Sequence, residues 1–488
     1  MPIASLPQNP DFEQLRKQAR ELQRAARSGD ENAIARFVRG IGKHDVQKFQ
    51  LTEAQLVLAR EHGFTSWARL RQYIHIVTAG SWNPHQSPIP DESMVDRFLR
   101  LACSANGDDE RTAAELLAEH PDLPARDLCV AAACADVDRV RRHLAVGVSA
   151  TQTGGPHSWS PLLYQAFARH DRRIERAKTL ETVQLLLGAG ADPNDGRFWH
   201  ALPTPFTVLT GVFGGGEQDR SEHPHALAFA RLLLDTGADP NDGQTIYNRM
   251  FGSNDDHLVL LFEYGLGRDN DGPWYRLLGG SLESPAVMLR SLLAWAIAHD
   301  QRARVALLAE HGVDIVSPFT ELRGPRRHTP VEFALINGHR ELADLLIDLG
   351  APWPQLNATD AFVAAVLAAD ADAVRQTPDA VVAKVRRKRT GLVTWAAAQG
   401  APSSVELLVH SGFDVNALGR SDIPSNMPWH TALHVAAETG NLLLAQTLLG
   451  LGASPDIPDG RYHATALDWA RHFDQPALVD LLEPLTRA

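Results

Sequence analysis

Cysteine is scarce in this 488-residue sequence, which contains only Cys103, Cys129 and Cys134. An odd number of cysteines without a Cys-x-x-Cys pair supplies neither a disulfide framework nor a set of zinc ligands. All three lie in alanine-rich helical patterns, and a thiol in such a pattern behaves as a small apolar side chain. We therefore expect three buried, reduced cysteines.

Long apolar runs are also lacking, and none approaches the roughly 20 residues that a membrane-spanning helix requires. The opening residues, MPIASLPQNPDFEQLRKQ, turn polar at once, unlike a secretory signal peptide. We therefore expect a soluble cytoplasmic protein without a membrane partner.

Basic residues are outnumbered by acidic ones, and the net charge is −12. The balance is uneven, because residues 1–80 hold twelve Lys or Arg against eight Asp or Glu, a net charge of +4. Residues 81–488 therefore carry the other −16, and an acidic surface of that kind repels phosphates. We do not expect nucleic acid as a partner of this larger part.

Catalytic and metal-binding motifs are lacking as well, although the sequence contains 21 His. The densest groups, at residues 223–225 and 255–257, have neither the i, i+4 spacing of a zinc helix nor a cysteine partner. The triple glycine at residues 214–216 is not followed by the Lys and Ser or Thr of a phosphate-binding loop, and predicts a flexible insertion. We expect no enzyme activity, no cofactor and no metal. The alternative is a catalytic site grafted on the fold.

The sequence does contain a repeated motif, which predicts two short helices in each copy. Stretches that begin at His328, His430 and His463 each show a threonine able to cap a helix, a short apolar helix, a polar break and a second helix with Leu-Leu. Helices of two to three turns are marginal alone, so such a pattern must recur to bury its apolar faces.

This phrase resembles the ankyrin repeat, whose pattern runs Thr-Pro-Leu-His, Ala-Ala, Gly-His, Leu-Leu and Gly-Ala-Asp-x-Asn. The residues that carry the match are Thr431, Leu433, His434, Ala436, Ala437, Gly440, Gly452 and Ala453, and the closing phrase returns at residues 190–194 and 237–241. The resemblance implies an all-α fold, an ankyrin-repeat solenoid of about eleven helix-pair units. Several units are irregular, above all those that end near Leu123, Gly265 and Thr377.

Residues 1–79 follow a different pattern and predict an N-terminal helical module, joined by a linker at residues 80–90 to a solenoid at residues 91–488. In its first helix, Phe12, Leu15, Ala19, Leu22 and Ala26 form one apolar stripe. Thr52 and Gln55 predict a capping box for the third helix. The opposite charges of module and solenoid predict that the module packs against the first repeats.

The phrase at residues 58–70 resembles a segment found ahead of ankyrin repeats in bacterial proteins, which implies a bacterial source. An alternative reading starts from Gly63, which lies between two predicted helices as in a helix-turn-helix that binds DNA. However, the helix that starts at Ser66 uses Trp67, Leu70, Tyr73 and Ile74 for apolar contacts, which leaves few side chains to contact bases.

Aromatic residues gather where the finger loops that precede the first helices are expected. The resemblance implies that fingers and first helices line a concave face, and insertions in repeat arrays concentrate on the binding face. Trp, Tyr and Arg are enriched at binding hot spots. The candidate partner-binding residues are Trp159, Phe198, Trp199, His200, Trp274, Tyr275, Arg323, Arg326, Arg327, Trp353, Trp429 and Tyr462. For each aromatic residue, the alternative is that it covers the apolar end of its own hairpin.

These observations favour an interaction scaffold or adaptor, which binds another protein through its concave face and finger loops. The alternative is a regulator whose basic N-terminal helices bind nucleic acid while the repeats bind a partner.

Overall fold

The computed structural model describes residues 6–7, 10–42, 45, 48–82, 92–200, 204–216, 219–268, 272–320, 327–422 and 427–486. The chain forms two compact units, Met1–Leu289 and Arg290–Ala488. In the described parts of both units, most residues are helical, which confirms the all-α class. No helix among them is both long enough and apolar enough to cross a membrane.

Four helices open the first unit: α1 (Phe12–Arg27), α2 (Glu31–Ile41), α3 (Leu51–Glu61) and α4 (Trp67–Ala79). The side chains of Asp11, Asp30 and Ser66 accept backbone hydrogen bonds at the starts of α1, α2 and α4, as N-cap residues do. The predicted capping box of α3 is wrong in its residues, because Gln50 and Glu53 form it.

The apolar stripe of α1 is buried as predicted from Leu15 to Ala26, and Phe12 is half-buried. Leu15 belongs to an apolar cluster with Leu70 and Ile74 of α4. The apolar face of α4 is therefore used for packing, as the sequence predicted.

A three-stranded sheet connects the segment that follows α4 with residues 196–207. It contains β1 (Ser81–Trp82), β2 (Gly196–Trp199) and β3 (Pro205–Thr207), with β2 in the middle. The pairing is parallel between β1 and β2 and antiparallel between β2 and β3. Residues 81–82 of the predicted linker thus form a strand, and residues 83–90 lie outside the described residues.

The rest of the first unit consists of short helices that follow one another in pairs. The pairs are α5 (Met94–Ala102) with α6 (Gly107–Glu119), α8 (Leu128–Ala133) with α9 (Val137–Ala145), α10 (Pro161–Phe167) with α11 (Arg176–Gly188), α12 (Val208–Phe213) with α13 (Ala226–Asp235), and α14 (Gly243–Arg249) with α15 (Asp256–Glu263). Two short helices stand outside this pairing, α7 (Leu123–Arg126) and α16 (Pro273–Leu278). Helix α17 (Pro285–Ala298) begins in the first unit and ends in the second.

The second unit continues the pairing, with α17 followed by α18 (Arg302–Glu310). The later pairs are α19 (Pro330–Ile336) with α20 (Arg340–Asp348), α21 (Ala358–Leu367) with α22 (Ala371–Gln376), α24 (Leu392–Ala398) with α25 (Pro402–His410), α26 (Ala432–Thr439) with α27 (Leu442–Gly450), and α28 (Ala466–His472) with α29 (Pro476–Leu482). The additional helix is α23 (Asp379–Lys388). These pairs stand where units were predicted, and the identity of each one as an ankyrin repeat stays a prediction.

The predicted helix caps explain where several of these helices begin. Thr329 and Thr465 form capping boxes with Glu332 and Asp468 at the starts of α19 and α28. Pro330 occupies the first position of α19, where its missing N–H leaves no hydrogen bond unmade.

Candidate functional site

A cavity of about 920 Å³ in the first unit is lined by three of the predicted aromatic contacts, Trp199, Trp274 and Tyr275. We refer to it as the Trp274 cavity. Its wall also includes Phe206, Asp239, Asp242, Gln244, Tyr247, Asn248 and Glu283. These residues come from the finger strands, from α14 and from the segment around α16, which are far apart in the sequence.

The strand β2 divides its side chains between two environments. Gly196 and Phe198 are buried, whereas Arg197 and Trp199 are half-buried, because successive side chains of a strand point to opposite faces. Phe198 enters the apolar cluster of α1 and α4, and Trp199 lines the Trp274 cavity. The same strand therefore holds the N-terminal module on one face and forms the wall of the cavity on the other.

Trp274 is fixed against this finger by a hydrogen bond and by ring packing. Its Nε1 donates to the carbonyl oxygen of Asn194 at 2.9 Å, and its ring meets that of Phe198 edge-on at 5.4 Å. Gly196 makes this approach possible, because a Cβ there would lie 3.1 Å from the indole ring. Next to Trp274, the Tyr275 hydroxyl donates to the carbonyl oxygen of Glu283 at 2.6 Å.

The polar part of the wall is built around the buried carboxylate of Asp242, which caps α14. It accepts hydrogen bonds from the Thr207 hydroxyl and from the backbone N–H of Thr245, the latter at 2.9 Å. Burial raises the pKa of Asp242 to about 6, although these donors favour its ionised form. Beside it, Gln244 donates from Nε2 to Oδ1 of Asn248 at 2.8 Å.

Carboxylates dominate the electrostatics of the Trp274 cavity. Burial, followed by the negative charges of Asp239, Glu283 and Asp242, raises the pKa of Tyr275 to about 12. The phenol is therefore protonated at neutral pH. In that state it can donate a hydrogen bond, but it cannot act as a nucleophile.

Both guanidinium groups of the wall have other partners. Arg100 forms a bidentate ion pair with Glu92, at 2.9 and 2.8 Å. Arg220 donates to the carbonyl oxygen of Phe167 at 3.0 Å and to that of Cys103. Both basic side chains of the wall are therefore engaged in contacts within the protein.

In the second unit, Trp429 and Tyr462 form a stack with two arginines at adjacent fingers. The guanidinium carbon of Arg420 lies 5.0 Å from the centre of the Trp429 ring. That of Arg461 lies 5.8 Å from the Trp429 ring and 5.2 Å from the Tyr462 ring. Such cation–π contacts hold the guanidinium planes close to the aromatic faces. Tyr462 remains 62% exposed, so the stack reaches the surface.

One carboxylate organises the turn that presents this stack. Asp459 accepts hydrogen bonds from the backbone N–H groups of Arg461, Tyr462 and Ala464 at 2.6 to 3.1 Å, and from Nε1 of Trp469 at 3.0 Å. These donors outweigh the effect of burial, which on its own would raise the pKa, and they lower the pKa of Asp459 to about 2. The ionised carboxylate therefore holds the turn in place at neutral pH.

Residues 429–460, which include the first of these fingers together with α26 and α27, match the family model of the ankyrin repeat. This segment is therefore similar to an ankyrin repeat. A search of curated proteins finds no match. Ankyrin repeats are typically interaction modules without catalytic activity, so the match indicates a role in binding other proteins.

His434 has the structural role in this ankyrin repeat that the resemblance implies. Its Nδ1 accepts from the backbone N–H of Thr431 at 3.2 Å and lies 2.8 Å from the Thr431 hydroxyl, and its Nε2 donates to the carbonyl oxygen of Ala464 at 3.0 Å. The imidazole thus links the start of α26 to the following finger. Burial lowers its pKa, which keeps the ring neutral.

Two of the predicted contact residues are core residues instead. Trp159 is 1% exposed and packs on the rings of Phe167 and Tyr164, at 4.8 and 5.3 Å. Phe198 is also 1% exposed, in the cluster described above. Trp159 covers the apolar side of α10, the helix that follows its own finger, whereas Phe198 packs against α1 and α4.

The remaining predicted contacts are dispersed. His200 follows Trp199 with a left-handed backbone, at φ 48°, and its ring lies beside the indole. In the second unit, Trp353 is 78% exposed and Arg327 is also exposed. Arg323 and Arg326 lie outside the described residues.

The histidine groups found in the sequence converge in the first unit without forming a metal site. His223, His225 and His257 line a second cavity of about 410 Å³. Burial lowers the pKa of His223 to about 3, and His225 Nε2 contacts the carbonyl oxygen of Ile174 at 2.6 Å. Within the described residues, no three His, Cys, Asp or Glu side chains are arranged to hold a metal ion.

The cysteines show no sign of an activated thiol. Cys103 and Cys129 are buried, and Cys134 is partly exposed. Burial raises the pKa of Cys103 to about 12, and the pKa of the other two thiols is raised by the same cause. A thiol with a raised pKa stays protonated and is a poor nucleophile.

Sequence reasoning missed Phe206, Tyr247 and the polar residues of the Trp274 cavity. Tyr247 lies within α14, where an aromatic residue is indistinguishable from a core residue by sequence alone. The signal that could have indicated it is the position of α14, which begins directly after a Gly-Ala-Asp-Pro-Asn phrase, as the first helix of a unit does.

Proposed function

We propose that the chain is an interaction scaffold that binds a segment of another protein in the Trp274 cavity. The observation that carries this proposal is the convergence of Trp199, Trp274 and Tyr275 on one cavity of about 920 Å³. A cavity with aromatic walls and a few placed polar groups is the usual form of a binding site. The presence of an ankyrin repeat in the same chain supports a protein as the partner.

The shape of the cavity supports an inserted segment as the bound element. Its wall comes from finger strands and from α14 and α16, and Trp274 is hydrogen-bonded in place. A preformed wall loses little conformational entropy on binding, which favours affinity. We therefore expect an extended segment or a loop of the partner to enter the cavity.

The exposed finger residues of the second unit are a further proposed contact area. Trp429, Arg461 and Tyr462 combine the three residue types that are enriched at hot spots. Arg323, Arg326, Arg327 and Trp353 remain proposed contacts on the basis of the sequence alone.

The same proposal covers the organisation and setting of the chain. Residues 1–79 act as a helical module that docks on the array, residues 80–90 connect it, and residues 91–488 form an ankyrin-repeat solenoid. The packing of α4 side chains in an apolar cluster with Phe198 supports docking over DNA binding. A cytoplasmic, bacterial setting rests on the sequence resemblance of residues 58–70.

The test is capture of a partner from the native cell extract by the tagged full-length protein and by variants. Trp199→Ala and Tyr247→Ala each remove an aromatic side chain from the cavity wall. We expect each to weaken capture, with a loss of about 2 kcal/mol at a hot spot, or roughly 30-fold in affinity.

Phe473→Ala is the matched control, because Phe473 is 40% exposed, lies in the other unit and is not among the proposed contacts. Trp353→Ala tests the proposed contacts of the second unit. Circular dichroism establishes that each variant is folded. The proposal is wrong if the partner is retained by both cavity variants. Loss of the partner in the Trp353 variant alone would assign binding to the second unit.

A further inference from the structure

We propose that the segment bound in the Trp274 cavity is cationic, so that Lys or Arg side chains of the partner enter between its aromatic and acidic groups. This inference rests on the proposed function and adds to it the chemical class of the partner. The alternatives are a neutral segment and an acidic one, and the experiment below separates the three.

The charge of the wall is the first argument. Among the described residues, four carboxylates line the cavity, those of Asp109, Asp239, Asp242 and Glu283, against the two guanidinium groups of Arg100 and Arg220. Burial lowers the pKa of the wall histidine, His157, to about 4, so that it is neutral near pH 7. The wall is therefore net negative, and it can attract a cation.

The two basic side chains of the wall do not cancel this charge. The Arg100 guanidinium already faces Glu92, and the Arg220 guanidinium is directed to backbone carbonyl oxygens and to the Phe167 ring, 5.4 Å away. An acidic segment would therefore meet the wall carboxylates without an arginine available to pair with it. Like charges placed together across an interface disfavour binding.

The arrangement of acids around an aromatic ring is the second argument. Asp239, Glu283 and Asp242 are all close enough to Tyr275 to disfavour its ionisation. The indole rings of Trp199 and Trp274 line the same space. Aromatic faces attract Lys and Arg through their quadrupole, and nearby carboxylates strengthen that attraction. A neutral apolar segment would satisfy the rings but would leave these carboxylates desolvated without a cation.

The charge of the chain as a whole acts in the same direction. Residues 81–488 carry a net charge of −16, which attracts a basic partner at long range. Attraction of this kind raises the association rate and weakens as salt is added. A cationic segment is therefore favoured both during approach and in the bound state.

The experiment uses the full-length protein and three fluorescein-labelled peptides of equal length, each with one Trp. One is rich in Lys and Arg, one in Gly and Ser, and one in Asp and Glu. Fluorescence anisotropy gives the dissociation constant of each peptide at low and high salt. We expect the Lys/Arg-rich peptide to bind most tightly, with an affinity that falls about tenfold as salt screens its contacts.

A double variant, Asp239→Asn with Glu283→Gln, removes two carboxylates of the wall and keeps their shape. It should weaken binding of the Lys/Arg-rich peptide about tenfold and leave the Gly/Ser-rich peptide unaffected. The control, Glu115→Gln with Glu119→Gln, removes two charges from exposed positions of α6 outside the cavity. If the double variant is poorly folded, Glu283→Gln alone carries the test, because Glu283 is exposed.

The outcomes separate this inference from the proposed function. Equal binding of all three peptides, tighter binding of the acidic one, or no binding by any overturns the cationic segment. An unchanged affinity in the carboxylate variants also overturns it. In each case, loss of partner capture in Trp199→Ala and Tyr247→Ala would still support a protein-binding cavity. Retention of that partner would remove the proposed function itself.

Discussion

The indole Nε1 of Trp274 donates a 2.9 Å hydrogen bond to the carbonyl oxygen of Asn194, 80 residues earlier in the chain. Asn194 closes a Gly-Ala-Asp-Pro-Asn sequence, and Trp274 is the second residue of α16. The hydrogen bond therefore connects the segment around α16 to the finger that follows Asn194. Both residues line the Trp274 cavity.

The Trp274 bond can be tested by a conservative substitution. Trp274→Phe keeps an aromatic ring but removes the indole N–H and part of the packing against Gly196 and Phe198. We expect the free energy of unfolding to fall by about 1–2 kcal/mol, as a lower midpoint in urea. Trp353→Phe, at a 78% exposed position, should change it by less than about 0.5 kcal/mol. Equal effects of the two substitutions would contradict the role assigned to Trp274.

The glycine turn beside the cavity leads to a second prediction. The sequence predicts a flexible insertion there, yet Gly215 has a φ of 76° and its N–H donates to the carbonyl oxygen of Arg220 at 2.7 Å. A Cβ at Gly215 would lie 2.5 Å from the carbonyl oxygen of Asn248. We expect Gly215→Ala to destabilise the protein by about 2 kcal/mol or more, because backbone strain and steric overlap add.

Gly252→Ala is the matched control for this prediction, since a Cβ at Gly252 would meet its nearest atom only at 3.9 Å. Thermal unfolding of the two variants should differ by several degrees. A Gly215→Ala protein as stable as the Gly252→Ala protein would show that the turn adapts at little cost.

Buried histidines lead to a prediction about pH. Burial lowers the pKa of His157, His170 and His430 to about 4. In the unfolded chain a histidine has a pKa of about 6.5, so the unfolded state binds protons that the folded state does not. The stability that these neutral histidines contribute is therefore present above about pH 6.5 and is lost as the pH falls towards 4.

His430→Phe isolates one of these groups, because neither ring nitrogen of the fully buried His430 has a hydrogen-bond partner among the described residues. We expect the loss of stability between pH 7 and pH 5 to be smaller by about 2 kcal/mol in this variant. The exposed His472 serves as the control for the exchange of side chains, and His472→Phe should change the free energy of unfolding at pH 7 by less than about 0.5 kcal/mol. Urea unfolding at both pH values measures the difference, and identical pH profiles for His430→Phe and wild type would refute the assignment.

The sequence allows the helix pairs and their fingers to be predicted, because each depends on local chemistry. The threonine caps at Thr329 and Thr465 and the glycine-rich closing phrases act within a few residues. Which face of a finger is buried depends on neighbours that are far away in the sequence. Trp159 and Trp199 occupy similar finger positions, yet the first packs on Phe167 and the second lines a cavity. Local patterns contain no information on that difference.

The contacts of the N-terminal helices also could not be predicted from local sequence patterns. The apolar stripes of the N-terminal module and its net charge of +4 predict docking on the array, and the expected place was the start of the first repeat. The structure packs α1 and α4 with Phe198 of β2 and Leu278 of α16. Strand pairing adds to this, because the N–H of Phe198 donates to the carbonyl oxygen of Gly80 at 2.9 Å. Neither partner could be identified from a helical pattern in residues 1–80.

A substitution of Phe198 therefore tests whether residues 1–79 depend on their packing against β2 or are stable without it. The Phe198 ring is 1% exposed among Leu70, Tyr73 and Ile74 of α4. Phe198→Ala would leave a cavity there, with a typical cost of about 3–5 kcal/mol for a buried phenylalanine. If the module depends on this contact, the cost appears as local opening of α4, since regions of a protein can open separately from the whole.

Hydrogen exchange followed by mass spectrometry measures that opening in the full-length protein. In Phe198→Ala we expect faster exchange in peptides from α1 and α4, and unchanged exchange in α26 and α27, which belong to the other unit. Phe473→Ala, at a 40% exposed position, controls for the loss of an aromatic ring elsewhere. If α4 in Phe198→Ala exchanges as slowly as in the wild type, the module is stable without its finger contact. Residues 1–79 would then be an independently stable domain. The alternative in which the N-terminal helices bind nucleic acid would be favoured, because it requires helices that are not held against the rest of the chain.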